Sequence, residues 1–347
     1  MSKPTTPSYP PLKAVQKYGN TYPKLWNNID KLINASRSGE IDVQWDFDLC
    51  YCPIAAAIGA LSMEMPEFEA SGKASFAAAL ASWRRGKLIY QFDETLGNEI
   101  IQTATDLVIP IDIIQQLPAP CVFIGFPEPE YESDIELPAG FFVYIEHDVN
   151  TGRKELRIYY ITHSGNPMTQ YIIHLIPGGT INDGIDAAIK EIRRQQRQNF
   201  IFSQAANIGA EFLEKSRELT IQAVQYVLYI CAENADIQEN ESQAKIYRKP
   251  DRTLDRLREI RKWDVGVKTG IILRAAEKHR TEEEKSNPTK EYEPRQYKNR
   301  PHIRRAHWHH FWTGSGDDKK LILRWINSTI VNADDGDIPL TIIKPEK

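Results

Sequence analysis

Apolar residues recur every three to four positions through VQKYGNTYPKLWNNIDKLINAS, where Tyr22, Trp26, Ile29, Leu32 and Ile33 make one stripe. That spacing predicts a helix with one buried face. PIAAAIGALSM and SFAAALASWRRGKLIYQFDETL extend the helical reading, with Phe76, Leu80, Trp83, Leu88 and Phe92 on one side. Residues 21–115 therefore read as mainly helical, after a Pro/Ser/Thr-rich start (1–20) that reads as a disordered or extended arm.

From residue 116 the period shortens. CVFIGF (121–126), GFFVYIEHD (140–148), KELRIYYITHSG (154–165) and MTQYIIHLIP (168–177) are rich in β-branched and aromatic residues. PEPEYESD, DVNTGR and HSGNP separate them with turn chemistry, which predicts an antiparallel meander over 116–178. His147, His163 and His174 fall in or beside these strands, where a hydrogen-bonded structural role is the ordinary one. The helical period returns over 179–280. TINDGIDAAIKEIRRQQRQN offers Asn182 or Asp183 as N-cap, and FLEKSRELTIQAVQYVLYICAEN reads as a long buried helix.

Residues 281–300 carry no apolar period and read as a basic linker. The tail, 301–347, reads as a hairpin in which RRAHWHHFWT and KKLILRWINSTIVN are strands joined across GSGDD. Alternation places Arg305, His307, His309 and Phe311 on one face, and Arg304, Trp308, His310 and Trp312 on the other. The expected fold class is α+β: a helical N-terminal part, an antiparallel sheet meander, a helical middle and a C-terminal β-hairpin. All of these could belong to one compact domain.

Composition agrees with a globular chain: of 347 residues, 41% are hydrophobic and 26% charged. No run reaches the roughly 18 apolar residues of a membrane span, and the start lacks the apolar stretch of a signal peptide. The reading is a cytoplasmic protein without a membrane partner. Cys121 and Cys231 lie in apolar runs, while Cys50 and Cys52 form a lone C-x-C, too little for a tetrahedral zinc site. Buried, reduced thiols are expected, and no cofactor is implied.

Charge changes the picture more. Residues 241–310 hold 19 Lys/Arg against 11 Asp/Glu, a net +8, so the rest of the chain carries −12. A basic segment on an acidic body suits a localised anionic partner. It is equally the composition of a solvated, helix-rich linker.

The candidate chemistry concentrates in PHIRRAHWHHFWTGSG (301–316), which contains four of the eight histidines. His307 and His309, two apart on a strand, could present imidazoles to a metal, but no third ligand is marked by spacing. The same pair could act as acid and base in metal-free RNA cleavage, with Arg305 or Arg324 on the phosphate. Alternatively Arg304, Arg305, Trp308, Trp312, Arg324 and Trp325 could form a surface that binds peptide or RNA, with arginines on anions and rings as stacking platforms. At least one face must instead be core, because a two-stranded ribbon needs a buried side. GSG at 314–316 is no phosphate loop, and no G-x-S-x-G is present.

The tail also resembles the C-terminal block of a family of type V-A anti-CRISPR proteins (the VA-two-like subtype) carried by phages, plasmids and other mobile elements. The matching residues are Pro301, His302, Arg304, Arg305, His307, Trp308, His309, Phe311, Trp312, Gly314, Arg324, Trp325, Val331 and Asn332. SWRRGKLIYQFDE is similar to the family's helix signature at Trp83, Arg84, Ile89, Tyr90, Asp93 and Glu94. LPAPCVFI and GFFVYIEHD resemble its strands, so the likeness runs from about residue 45 to 332. The resemblance implies a protein that keeps the host's type V-A effector nuclease from accumulating. Its implied partner is the N-terminal segment of that nuclease during translation, with mRNA or the ribosome nearby, and the implied outcome is loss of the message. Whether cleavage would be its own is left open by the resemblance, and the reading leans towards a binding protein. The alternatives are the metal-independent ribonuclease using His307 and His309, and a non-enzymatic phage or plasmid interaction protein whose aromatic hairpin is a dimer interface.

Overall fold

The computed structural model describes residues 9–103, 108–127, 136–198, 210–239, 260–275, 302–304, 306–315, 319–326 and 329–331. Its centre is a seven-stranded mixed sheet in the order β5-β4-β3-β2-β1-β7-β6, with helices on both faces.

The helical N-terminal part forms four helices: α1 (Pro10–Thr21), α2 (Leu25–Ser38), α3 (Ile54–Ser62) and α4 (Glu67–Gly86). Residues 10–20 thus differ from the extended arm expected there. Their prolines sit in the first turn of α1, where no intrahelical N–H is needed. The helix is held by burial of Ala14 and by Tyr18 standing edge-on to Phe76 at 5.1 Å. Of the expected stripe, Ile29 and Ile33 are buried and Tyr22, Trp26 and Leu32 are half-buried. Leu25, outside that stripe, is buried beside them, and Gly39 closes α2 in the left-handed region at φ 78°.

A second difference concerns RRGKLIYQF. Helical spacing carried the stripe from Phe76 to Phe92, but α4 stops at Gly86 and Lys87 takes φ 50°. Leu88–Phe92 is instead strand β1, paired in parallel with β2 (Cys121–Gly125) and β7 (Arg261–Val265). A strand covered on both faces has no alternation to betray it, so five apolar and aromatic residues read equally well as helix.

The meander folds as its pattern implied: β2, β3 (Pro138–His147), β4 (Lys154–Thr162) and β5 (Pro167–His174) pair antiparallel in sequence. Beyond it, α6 (Ile181–Gln198) and α7 (Ala210–Cys231) follow. The cap of α6 is Thr180, not Asn182 or Asp183. Its Oγ1 accepts from the Asp183 N–H at 3.2 Å while Asp183 Oδ2 accepts from the Thr180 N–H at 2.8 Å. The region expected to be helical also contributes β6 (Ile237–Glu239) and β7, antiparallel partners on the far side of β1. A short helix follows at 267–275. The linker 281–300 lies outside the described residues.

Successive residues of each strand feed two cores. Ile89, Phe123, Phe142 and Tyr144 point into the α1–α4 layer. Tyr90, Ile124, Phe141 and Val143 point into the layer built by α5 (Glu94–Ile101), α6 and α7. The tail closes that second layer. β9 (His307–Thr313) and β10 (Lys320–Ile326) form an antiparallel hairpin, and β8 (His302–Arg304) pairs separately with β11 (Thr329–Val331).

Candidate functional site: the aromatic hairpin

Cross-strand register decides which side chains of the hairpin share a face, because directly opposed residues point the same way. Trp308, His310 and Trp312 oppose Trp325, Leu323 and Leu321. Those three β10 residues are buried, so this is the side turned to the core. His307, His309 and Phe311 oppose Ile326, Arg324 and Ile322 on the outward side.

The inward side fastens the hairpin to α7. Trp325 is 3% exposed, stands edge-on to Tyr229 at 5.5 Å, and donates its indole N–H to Thr103 Oγ1 at 3.4 Å. The Trp308 indole donates to Gln225 Oε1, and the backbone N–H of Trp325 donates to Asn234 Oδ1 at 3.0 Å. Trp308 and Trp325, two of the recognition candidates, are therefore anchors of the fold. Trp312 differs: it projects past the end of the core and is 59% exposed.

The outward side brings together two histidines, a phenylalanine and a cation. The His309 and Phe311 rings lie 5.5 Å apart, and the Arg324 guanidinium sits 5.4 Å from the centre of the Phe311 ring. Arg324 also forms an ion pair with Glu233 at 2.7 Å, with both side chains about half exposed. An exposed pair of this kind holds its geometry by less than about 1 kcal/mol, so an incoming anion can compete for the arginine.

The expected alternation holds from His307 to Trp312 but does not extend back to Arg304, because β8 ends there and a new strand begins at His307. Ala306, between them, is buried. Arg304 thus belongs to a different two-stranded ribbon, and Arg305 lies outside the described residues. Among the described residues, no three His, Cys, Asp or Glu side chains gather as a metal site.

The helix signature occupies the interior. Trp83 is fully buried and donates its indole N–H to Leu88 O at 2.9 Å, tying the end of α4 to the start of β1. The Arg84 guanidinium covers the Trp26 ring at 4.3 Å, and Tyr90 stacks on Trp263 at 5.1 Å with planes 9° apart. Asp93 caps α5 by accepting from the N–H groups of Thr95 (3.0 Å) and Leu96 (3.2 Å), and both its oxygens receive Arg274 Nη1. These four residues build the fold around the central strand and expose no common surface.

His147 and His174 have structural partners: His147 Nδ1 accepts from the Asp46 N–H at 2.9 Å, and His174 Nε2 lies 3.6 Å from Glu155. All four cysteines are free and buried, and burial pushes each thiol up from its ordinary value. Composition did not point to a group of charged side chains beneath α3. Glu146 and Glu155, 2% and 1% exposed, face one another across β3 and β4. Two acidic residues inside strands rich in Phe, Tyr and Ile were the only trace of them in the sequence.

Sheet, covering helices and C-terminal hairpin define an α+β protein whose helix-signature residues Trp83, Arg84 and Tyr90 are buried in the interior. Residues 90–333 match the model of the AcrVA2-like family, described as the anti-CRISPR type V subtype A2 family. The chain belongs to that family. It is similar to a protein named FinQ from Escherichia coli, 24% identical over 97% of each chain. The crystal structure of AcrVA2 matches with a TM-score of 0.58 at 15% identity, covering 94% of this chain and 100% of that one, which shows a shared fold. Among the described residues, no helix is long and apolar enough to cross a membrane.

Proposed function

We propose that this anti-CRISPR chain recognises the N-terminal segment of a type V-A effector nuclease while it is being translated, and causes loss of the message being read. Family membership supports the target class. The observation that carries recognition is the solvent-facing side of the hairpin. There His309, Phe311 and Arg324 form a ring-and-cation surface; Trp312, at the end of the opposite face, is exposed as well, while Trp308 and Trp325 hold the core. Exposed aromatics and arginine are the side chains that supply most binding energy at protein surfaces. A second feature suits an unfolded chain. β5 ends the sheet, its residues Pro167–Gln170 are exposed, and among the described residues no strand pairs with its outer side. An extended peptide could add there by main-chain hydrogen bonds.

The test mixes purified protein with peptides copied from the first residues of the effector. Specific binding, together with decay of a translated reporter that begins with the same codons, is expected. Binding no better than to scrambled peptides would reject the reading.

One observation favours a second reading, in which the protein cleaves RNA itself. His307 and His309 share the outward face with Arg324, the arrangement that acid–base cleavage would use. Incubating pure protein with a transcript, with and without chelator, separates the two readings. Cleavage that persists in His307→Ala and His309→Ala variants would exclude this pair.

A further inference from the structure

A pocket of about 150 Å³ opens between the N-terminus of α3 and the turn joining β3 to β4. Ile54, Ala55, Ile58 and Val149 give it an apolar wall, and Glu146, Glu155 and Arg157 lie along its polar side. It is separate from the hairpin and from the open edge of the sheet.

The two buried carboxylates are provided for very unequally. Glu155 accepts from Arg153 Nε at 2.6 Å and from Arg157 Nε and Nη2 at 3.0 and 2.6 Å. Glu146, directly opposite in register, accepts, among the described residues, only the backbone N–H of Ile54, at 2.9 and 3.1 Å to its two oxygens. Among the described residues it forms no ion pair with any lysine or arginine. A carboxylate offers about four acceptor sites, and a buried one without a cation is costly unless it is neutralised. Asp148 adds a further negative charge at the rim. The charged groups lining the pocket are three carboxylates against two arginines, so one monovalent cation balances them.

We propose that this pocket binds a primary alkylammonium group, its nitrogen on Glu146 and its methylene stem along Ile54, Ala55 and Ile58. The apolar wall is what distinguishes such a guest from a bare metal ion, which needs oxygen ligands on most sides. The volume suits a chain of a few methylenes and not a folded partner. Either a lysine side chain or a free aliphatic diamine has this chemistry.

Burial currently holds the Glu146 carboxyl at about 7, with Glu155 and Asp148 pushing it up and Arg157 pulling it down. Other charged or titratable groups acting on this part of the sheet are His174 beside Glu155, and Cys50 and Cys52 on the segment before α3. An ammonium guest requires ionised Glu146, so binding near pH 7 expels about half a proton per site.

The experiment titrates the full chain with Nα-acetyl-lysine methylamide, with putrescine, and with the norleucine analogue of the first, following the amide signals of Ile54 and Ala55. Calorimetry in buffers of different ionisation enthalpy counts the protons released. Expected are saturable shifts with the two amines, proton release near pH 7, and no response to norleucine. Tighter binding of the lysine derivative assigns the pocket to a protein side chain, and tighter binding of putrescine to a free amine. Glu146→Gln should weaken binding at least tenfold, and Ala55→Leu should block it by filling the stem channel with the carboxylate intact. Equal response to norleucine, undiminished binding by both variants, or no shift with either amine would overturn the proposal. No effector peptide is used, so the outcome is independent of the proposed function.

Discussion

Trp325 of the hairpin and Tyr229 of α7 meet edge to face, with ring centres 5.5 Å apart, and the indole N–H reaches Thr103 from the same position. This contact joins the C-terminal strands to the helical layer. Trp312, on the same face of the hairpin, makes no such contact among the described residues and is 59% exposed.

Trp325→Ala should cost about 3–5 kcal/mol, the usual loss for a large buried ring. Trp312→Ala, at an exposed position, should change stability by no more than about 0.5 kcal/mol. Urea unfolding of the two variants measures the difference directly.

The binding reading predicts the reverse order for function. Phe311→Ala, Trp312→Ala and Arg324→Ala should leave the unfolding midpoint nearly unchanged and weaken binding of the effector peptide, by about tenfold or more for any residue that acts as an anchor. Unchanged affinity in all three variants would move the peptide site away from the hairpin.

Asp93 joins α5 to the helix at 267–275, where a Cβ on Gly270 would collide with its carboxylate. Removing the cap in Asp93→Ala should cost about 1–2 kcal/mol. Asp93→Asn keeps a capping oxygen and gives up mainly the charge pairing with Arg274, whose side chain is 47% exposed. Its loss should stay under about 1 kcal/mol. Comparing the two variants by denaturant midpoint separates cap from ion pair.

Glu146 makes stability depend on pH. Its folded value of about 7 lies above the ordinary 4.5, so the folded state favours the protonated form. Nothing is lost below about pH 4.5. Between 4.5 and 7 the unfolded chain gives up its proton first and stability falls; above 7 the cost is complete, at about 3 kcal/mol. Glu146→Gln should therefore be more stable than the parent at pH 8 and nearly equal to it at pH 4. A gain of the same size at both pH values would contradict this linkage.

The buried thiols give a fourth kind of check. Cys50, Cys52, Cys121 and Cys231 should resist a water-soluble disulfide reagent in the folded protein and react together on unfolding. Fast labelling of one thiol without loss of structure would show local opening, which peptide mapping would locate.

Much of this architecture was legible in the order of residues. The meander announced itself through β-branched runs separated by turn chemistry, and the hairpin through two apolar strands around GSGDD. Ile29 and Ile33 were spaced for one helix face and are buried on one. These features are local: each is set by the period of a single segment and the backbone preferences of its turn residues.

What the sequence could not supply was non-local. The strand character of Leu88–Phe92 depends on β2 and β7 lying on either side of it, from residues some 30 and 170 positions later in the chain. Which face of the hairpin turned inward was decided by Tyr229, Thr103 and Gln225, none of them adjacent in sequence. Glu146 is a buried carboxylate without a cation because strand register sets it opposite Glu155, which takes both Arg153 and Arg157. Periodicity fixes which way a side chain points from its own backbone. Burial and charge environment depend on what stands in front of it, and only the tertiary structure decides that.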